Sequence, residues 1–213
     1  MTAGAFSIRL WGVRGSIAAS GEAFRIFGGN TICFEVRCGD RVILFDAGSG
    51  LPRAGRALLA EGLEKADLFF THCHYDHIIG LPFFKPLYHP ASALTVWSGH
   101  LAGVMTTREM VTAFMSAPWF PVGPGVCRAR LTYADFIPGD AIDLGDGITI
   151  RTAWLNHPGG AVGYRVEWQG RALAIVTDTE HRDGVRDPAV MGLIRGVECF
   201  LYDAAYTDDE MAT

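Results

Sequence analysis

The chain has 213 residues, 49% of them hydrophobic and 19% charged, with a formal net charge of −5. That is enough apolar surface for a sizeable core, and it excludes a disordered chain. An acidic balance argues against a long nucleic acid as partner, since such partners need a basic face. No apolar run reaches the ~18 residues of a membrane span, and no basic-then-apolar signal opens the chain. One soluble, cytoplasmic domain is therefore expected, and its five cysteines, with no CxxC spacing, read as free thiols in a reducing compartment.

In chain order, residues 6–13, 32–38 and 42–46 read as strands, the last two joined by a turn at Gly39-Asp40. Residues 51–61 have helical periodicity after the break at Gly48-Ser49-Gly50. A short strand, 66–70, leads into Thr71-His72-Cys73-His74-Tyr75-Asp76-His77, followed by a Pro- and aromatic-rich loop at 81–90. A strand at 94–97, a helix within 101–116 and a loop at 121–125 come next. Strands at 128–133, 148–155, 163–168 and 172–177, a helix near 188–195 and a strand at 197–202 complete the list. Strands mixed with helices in this order predict a layered α+β (α/β) fold. An internal echo reads either as the ordinary likeness of two hairpins or as a duplicated half-domain: each of two hairpins follows a Gly pair (28–29, 159–160) and closes on an aspartate, Asp46 or Asp178.

The chemistry concentrates at residues 72–77, where three of the seven histidines and a carboxylate fall within six residues at a strand end. Composition alone would produce H-x-H-x-D-H in roughly 1 in 2,000 such chains, so chance is a poor explanation. Imidazole and carboxylate are ligands for borderline divalent metals. His72 and His74 can converge on one ion, while Asp76 and His77 project differently and suit a second. Two histidines leave an ion under-coordinated. His157 and Asp178, each at a strand end, are candidates for the remaining positions; Asp46 is either a ligand or a residue that accepts an imidazole N–H.

In this order, Asp46, His72/His74/Asp76/His77, His157 and Asp178 resemble the signature of the metallo-β-lactamase superfamily. The segments WGVRGSI (11–17), FGGNT (27–31), DHIIGLPFF (76–84) and NHPGGAVGYRVE (156–167) are similar to its ribonuclease Z and phosphonate-pathway cyclic phosphodiesterase branch. The resemblance implies an αββα sandwich of two facing mixed sheets flanked by helices, with two divalent ions, zinc or manganese, at one edge. His72, His74 and His157 would hold the first ion and Asp76 and His77 the second. Asp178 would bridge them, with Asp46 beneath. Relatives add a further histidine to the second ion after text like that at 201–210. None follows here before Thr213, so the chain is expected to lack its C-terminal end and to hold that ion more weakly.

Such a site supports hydrolysis by a hydroxide shared between the ions. The leading expectation is a phosphodiesterase acting on a small nucleotide or cyclic phosphate, with Asp76, Asp178 and His181 in the reaction and His181 placed to protonate a leaving group. Thioester, lactone or lactam hydrolysis by the same site is the alternative, and a non-catalytic metal-binding sensor a third. A small phosphodiester is the expected partner, with no membrane; a homodimer is compatible with the sequence. His89 and His100 read as ordinary surface or loop histidines, Cys73 as packing, Gly48-Ser49-Gly50 as a turn, and Phe83, Phe84 and Tyr88 as core or loop packing.

Overall fold

Apolar runs of five to eight residues bounded by Gly and Asp become strands because each buries one or both faces within a sheet. The computed structural model describes residues 4–182 and 184–204, and the chain divides into two units, Met1–Ile137 and Pro138–Thr213.

The first unit is built on a six-stranded sheet in simple sequential order, β1 to β6. Its strands are β1 (Phe6–Gly12), β2 (Cys33–Cys38), β3 (Arg41–Phe45), β4 (Lys65–Phe70), β5 (Ala93–Ser98) and β6 (Arg130–Asp135). The β1–β2–β3 ladder is antiparallel, and β3 to β6 run parallel. Parallel neighbours require crossovers, supplied by α1 (Leu51–Ala60) between β3 and β4 and by α3 (Thr107–Phe114) between β5 and β6. Helix α1 buries Leu51, Ala54 and Leu58, a spacing of three and four that keeps one face on the core. That core joins Leu44, Leu68, Phe70 and Val96 from the strands to Phe84 and Leu87 from the 81–90 loop.

The second unit carries a five-stranded sheet ordered β11-β10-β9-β8-β7. Its strands are β7 (Ala141–Gly145), β8 (Ile148–Leu155), β9 (Ala161–Trp168), β10 (Arg171–Val176) and β11 (Cys199–Tyr202). Only the β10–β11 pair is parallel. Helix α4 (Pro188–Ile194) starts at Asp187, whose carboxylate accepts from the amides of Ala189 and Val190. Its Val190 and Leu193 pack with Leu155, Ala161 and Val176. Two mixed sheets with their helices give the layered α+β class expected from the sequence. Among the described residues no helix is long and apolar enough to cross a membrane.

Several elements differ from expectation, two of them for clear physical reasons. The helix within 101–116 starts only at Thr107, because Thr106 and Glu109 form a reciprocal capping box that fixes its first turn there. Strand β7 was not anticipated, since AIDLG is short and only half-buried, with no continuous apolar run to mark it. The echo extends into the backbone. Hairpins β2–β3 and β9–β10 turn at positive-φ Gly39 and Gly170, and each second strand then pairs in parallel with a later one. Each second strand is also followed within two residues by an aspartate in the left-handed region, Asp46 at φ 62° and Asp178 at φ 51°.

Candidate metal centre

Strand β4 delivers Thr71 and His72 to the carboxyl edge of the parallel sheet, where ligand sites in α/β sheets commonly lie. The chain then folds into the short helix α2 (Tyr75–Ile78), with His74 at its N-cap and Asp76 and His77 inside it. This segment is clamped to the exit of β3: the Ala47 amide donates to the His77 carbonyl and the Gly80 amide to the Ala47 carbonyl, both at 2.7 Å. The approach is too close for side chains. A Cβ on Gly48 would lie 2.3 Å from the Asp76 carbonyl oxygen and 2.5 Å from that of Ile32. Gly48→Ala is accordingly expected to destabilise the protein by about 1–3 kcal/mol, the usual cost of overpacking, seen as a lower thermal midpoint. An unchanged midpoint would mean that these backbones are not locked together.

One carboxylate organises the imidazoles. Asp46 is fully buried; its Oδ1 accepts from the Thr71 amide at 2.7 Å and its Oδ2 from the Thr71 hydroxyl at 2.8 Å. The same Oδ2 lies 2.8 Å from His77 Nδ1. Burial pushes the Asp46 carboxyl above its ordinary range while His77 and Thr71 oppose the shift. An ionised carboxylate offers only acceptors, so the groups facing it must donate. The tautomers follow. His77 carries its proton on Nδ1, facing Asp46. Thr71, having donated its hydroxyl proton to Asp46, accepts from His72 Nδ1 at 3.0 Å. Both rings therefore present Nε2 as a lone pair, the form a metal ligand must take.

The remaining donors gather around them. His72 Nε2 lies 2.9 Å from His74 Nδ1, and the His72 ring centroid is 4.4 Å from that of His74 and 4.1 Å from that of His77. Two imidazole nitrogens sharing a tetrahedral zinc ion sit about 3.3 Å apart, given bonds of roughly 2.0–2.1 Å. The His72–His74 pair is near that spacing. Asp76 places Oδ2 3.5 Å from His77 Nε2 and accepts there from the Ser16 amide at 2.7 Å. Burial opposes ionisation of Asp76, but His77 and the Ser16 amide prevail and bring its pKa down to about 2. Four convergent nitrogen and oxygen donors, with tautomers set from behind, suit one or more borderline divalent ions.

In the second unit, half-buried His157 follows β8 and half-buried Asp178 follows β10. The segments carrying them are tied together: the Glu180 amide donates to the Asn156 carbonyl at 2.7 Å, and Asn156 Nδ2 donates to the Glu180 carbonyl at 2.9 Å. Exposed His181 stacks on Tyr202 at 5.7 Å between centroids, its Nε2 3.3 Å from the phenol oxygen.

Other residues fall largely as expected. Cys73 packs on the core, Phe84 is buried within it and Tyr88 donates to the Pro82 carbonyl. Gly48-Ser49-Gly50 is a turn held by reciprocal bonds between Ser49 and Thr31. His89 is exposed. His100 lies in the turn after β5 but not at the surface: it is 5% exposed, and its Nδ1 lies 3.0 Å from Ser98 Oγ. Burial, together with the influence of His74 and His77, lowers its pKa to about 4, so the ring is neutral at pH 7. A lone histidine carries no ligand spacing. The available signal was a hydroxyl residue beside a histidine at the end of each of two consecutive strands.

The histidines and aspartates gathered at the carboxyl edge of a parallel sheet are the donor types that hold divalent metals in proteins. Residues 41–213 match the family model described as the Beta-lactamase superfamily domain, and the chain belongs to that family. Its fold is the metallo-β-lactamase fold, whose members bind divalent metals and are predominantly metal-dependent hydrolases. The human tRNase Z short form superposes with a TM-score of 0.64 at 16% identity, over 96% of this chain and 80% of that one. A diphosphatase of the PhnP family gives 0.61 at 20% identity, over 91% and 72%. The metallo-β-lactamase-fold protein YhfI of Bacillus subtilis gives 0.60 at 19% identity, covering 83% of this chain, which spans only 63% of YhfI. No curated protein matches the chain by sequence.

Proposed function

We propose that this protein is a metal-dependent phosphodiesterase acting on a small nucleotide or cyclic phosphate. The observation that carries the reading is the Asp46–Thr71 relay, which fixes His72 and His77 in the ligand tautomer. Similarity to a diphosphatase and a tRNase favours phosphoester substrates over lactams. In this reading His72, His74 and His157 would hold one zinc ion and Asp76 and His77 a second, with Asp178 available to both. Bound ions would supply a polarised water nucleophile and neutralise phosphoryl charge. The protein's own part is to orient the imidazoles through Asp46, to pin Asp76 through the Ser16 amide, and to offer His181 as a proton donor to the leaving oxygen. The described cysteines are all free, which suits the cytoplasm.

A panel of aryl phosphodiesters, thioesters, lactones and lactams tests the reading on metal-loaded protein. Phosphodiester turnover should dominate, vanish on chelation and return with zinc. Thioester or lactone turnover alone would shift the assignment to the alternative hydrolase. Bound metal without turnover of any substrate would favour a sensor.

A further inference from the structure

The parallel register of β4 and β5 pairs Phe70 with Ser98. Two residues past that pair, His72 leaves one strand and His100 leaves its neighbour, so the two histidines occupy corresponding positions on adjacent strand ends. Each has a hydroxyl on Nδ1, Thr71 for His72 and Ser98 for His100. The proton runs the opposite way in the second pair. Thr71 gives its proton to Asp46, whereas the only side-chain partner of the Ser98 hydroxyl among the described residues is His100 Nδ1. If Nδ1 carried the proton, the buried Ser98 hydroxyl hydrogen and His100 Nε2 would both go unmet. If Ser98 donates, only one group does. The second arrangement is cheaper, and it puts the imidazole proton on Nε2.

That Nε2 is buried and has no hydrogen-bond partner among the described residues. A buried orphan donor costs stability unless something else meets it. In this tautomer Nε2 is a hydrogen-bond donor with no lone pair for a metal.

We propose that His100 is a substrate-binding residue of the metal centre, whose imidazole offers Nε2–H to an anionic oxygen of the bound phosphoryl group. The proposal rests on the hydrolase reading for the class of substrate. Geometrically it needs only that the anion bind at the carboxyl edge of β4 and β5. There His100 supplies a fixed donor that no solvent competes for.

Inorganic phosphate is the probe, titrated calorimetrically into zinc-loaded full-length protein, with metal content measured alongside. His100→Phe keeps the ring volume and removes the donor. It should weaken phosphate binding roughly 10- to 100-fold, as for a lost hydrogen bond to a charged group, at unchanged metal content. His100→Gln, whose amide nitrogen falls near the position of Nε2, should recover most of the affinity. His100→Asn, whose amide falls nearer Nδ1, should not; the Gln–Asn contrast stands even if the Phe variant fails to fold. On an aryl phosphodiester, KM should rise by more than kcat falls. Unchanged phosphate affinity, or no phosphate binding by the loaded wild type, would overturn the proposal. Loss of metal in the variants would also overturn it by making His100 a ligand. His100-dependent phosphate binding in a protein that hydrolyses no phosphodiester would support this assignment while removing the proposed activity.

Discussion

Replacing Asp46 with asparagine is expected to lower metal affinity by roughly 10- to 100-fold, the usual effect of losing a residue that orients ligands from behind. The buried carboxylate receives two donors from Thr71 and one from His77. An amide keeps one acceptor oxygen and turns its NH2 toward the donors on the other side, so at least one buried N–H or O–H loses its partner. Stability should fall by about 1–3 kcal/mol as a result. The larger effect is on tautomer: without the carboxylate, His77 is free to carry its proton on Nε2, where it cannot bind a metal. Zinc titration with a competing chelator, alongside chemical denaturation, measures both effects. Wild-type affinity in the asparagine variant would show that His72 and His77 are oriented by something else.

Asp76→Ala should act mainly on turnover. Its carboxylate is charged at all working pH values and is aimed by the Ser16 amide. Removing it should reduce kcat on an aryl phosphodiester by roughly 100- to 1,000-fold, the range for losing one charge-stabilising group, with a smaller change in KM. The segment around Ser16, itself at φ 67°, would lose its anchor, and hydrogen exchange at the Ser16 amide should speed up. A variant with the same kcat as wild type would remove Asp76 from the reacting centre.

The sequence made β3 and β4 legible because each carries a nearly continuous apolar run, as parallel neighbours buried on both faces require. The metal motif was legible for a different reason: four donors lie within six residues, so no long-range contact had to be guessed. Where spacing is long, the text says less. That Asp46 is the hub of the relay depends on a bond across 25 residues to Thr71, and only the family resemblance placed it beneath the site. The late start of α3 was readable in Thr106-x-x-Glu109, a capping box obscured by the apolar residues before it. The role of His100 was the least legible, because it depends on strand register and on which way a hydroxyl proton points. Neither leaves a mark in composition or periodicity.

The left-handed backbone at Asp178 narrows what evolution can put there. Glycine, asparagine and aspartate adopt that conformation at low cost, while β-branched or bulky residues are strained. Of those three only aspartate carries a charge. A lineage can therefore exchange the anion at 178 for an amide or for nothing and keep the same turn. On the proposed metal reading, fold and chemistry are separable at that point in the chain, and a folded descendant without that carboxylate lies one substitution away.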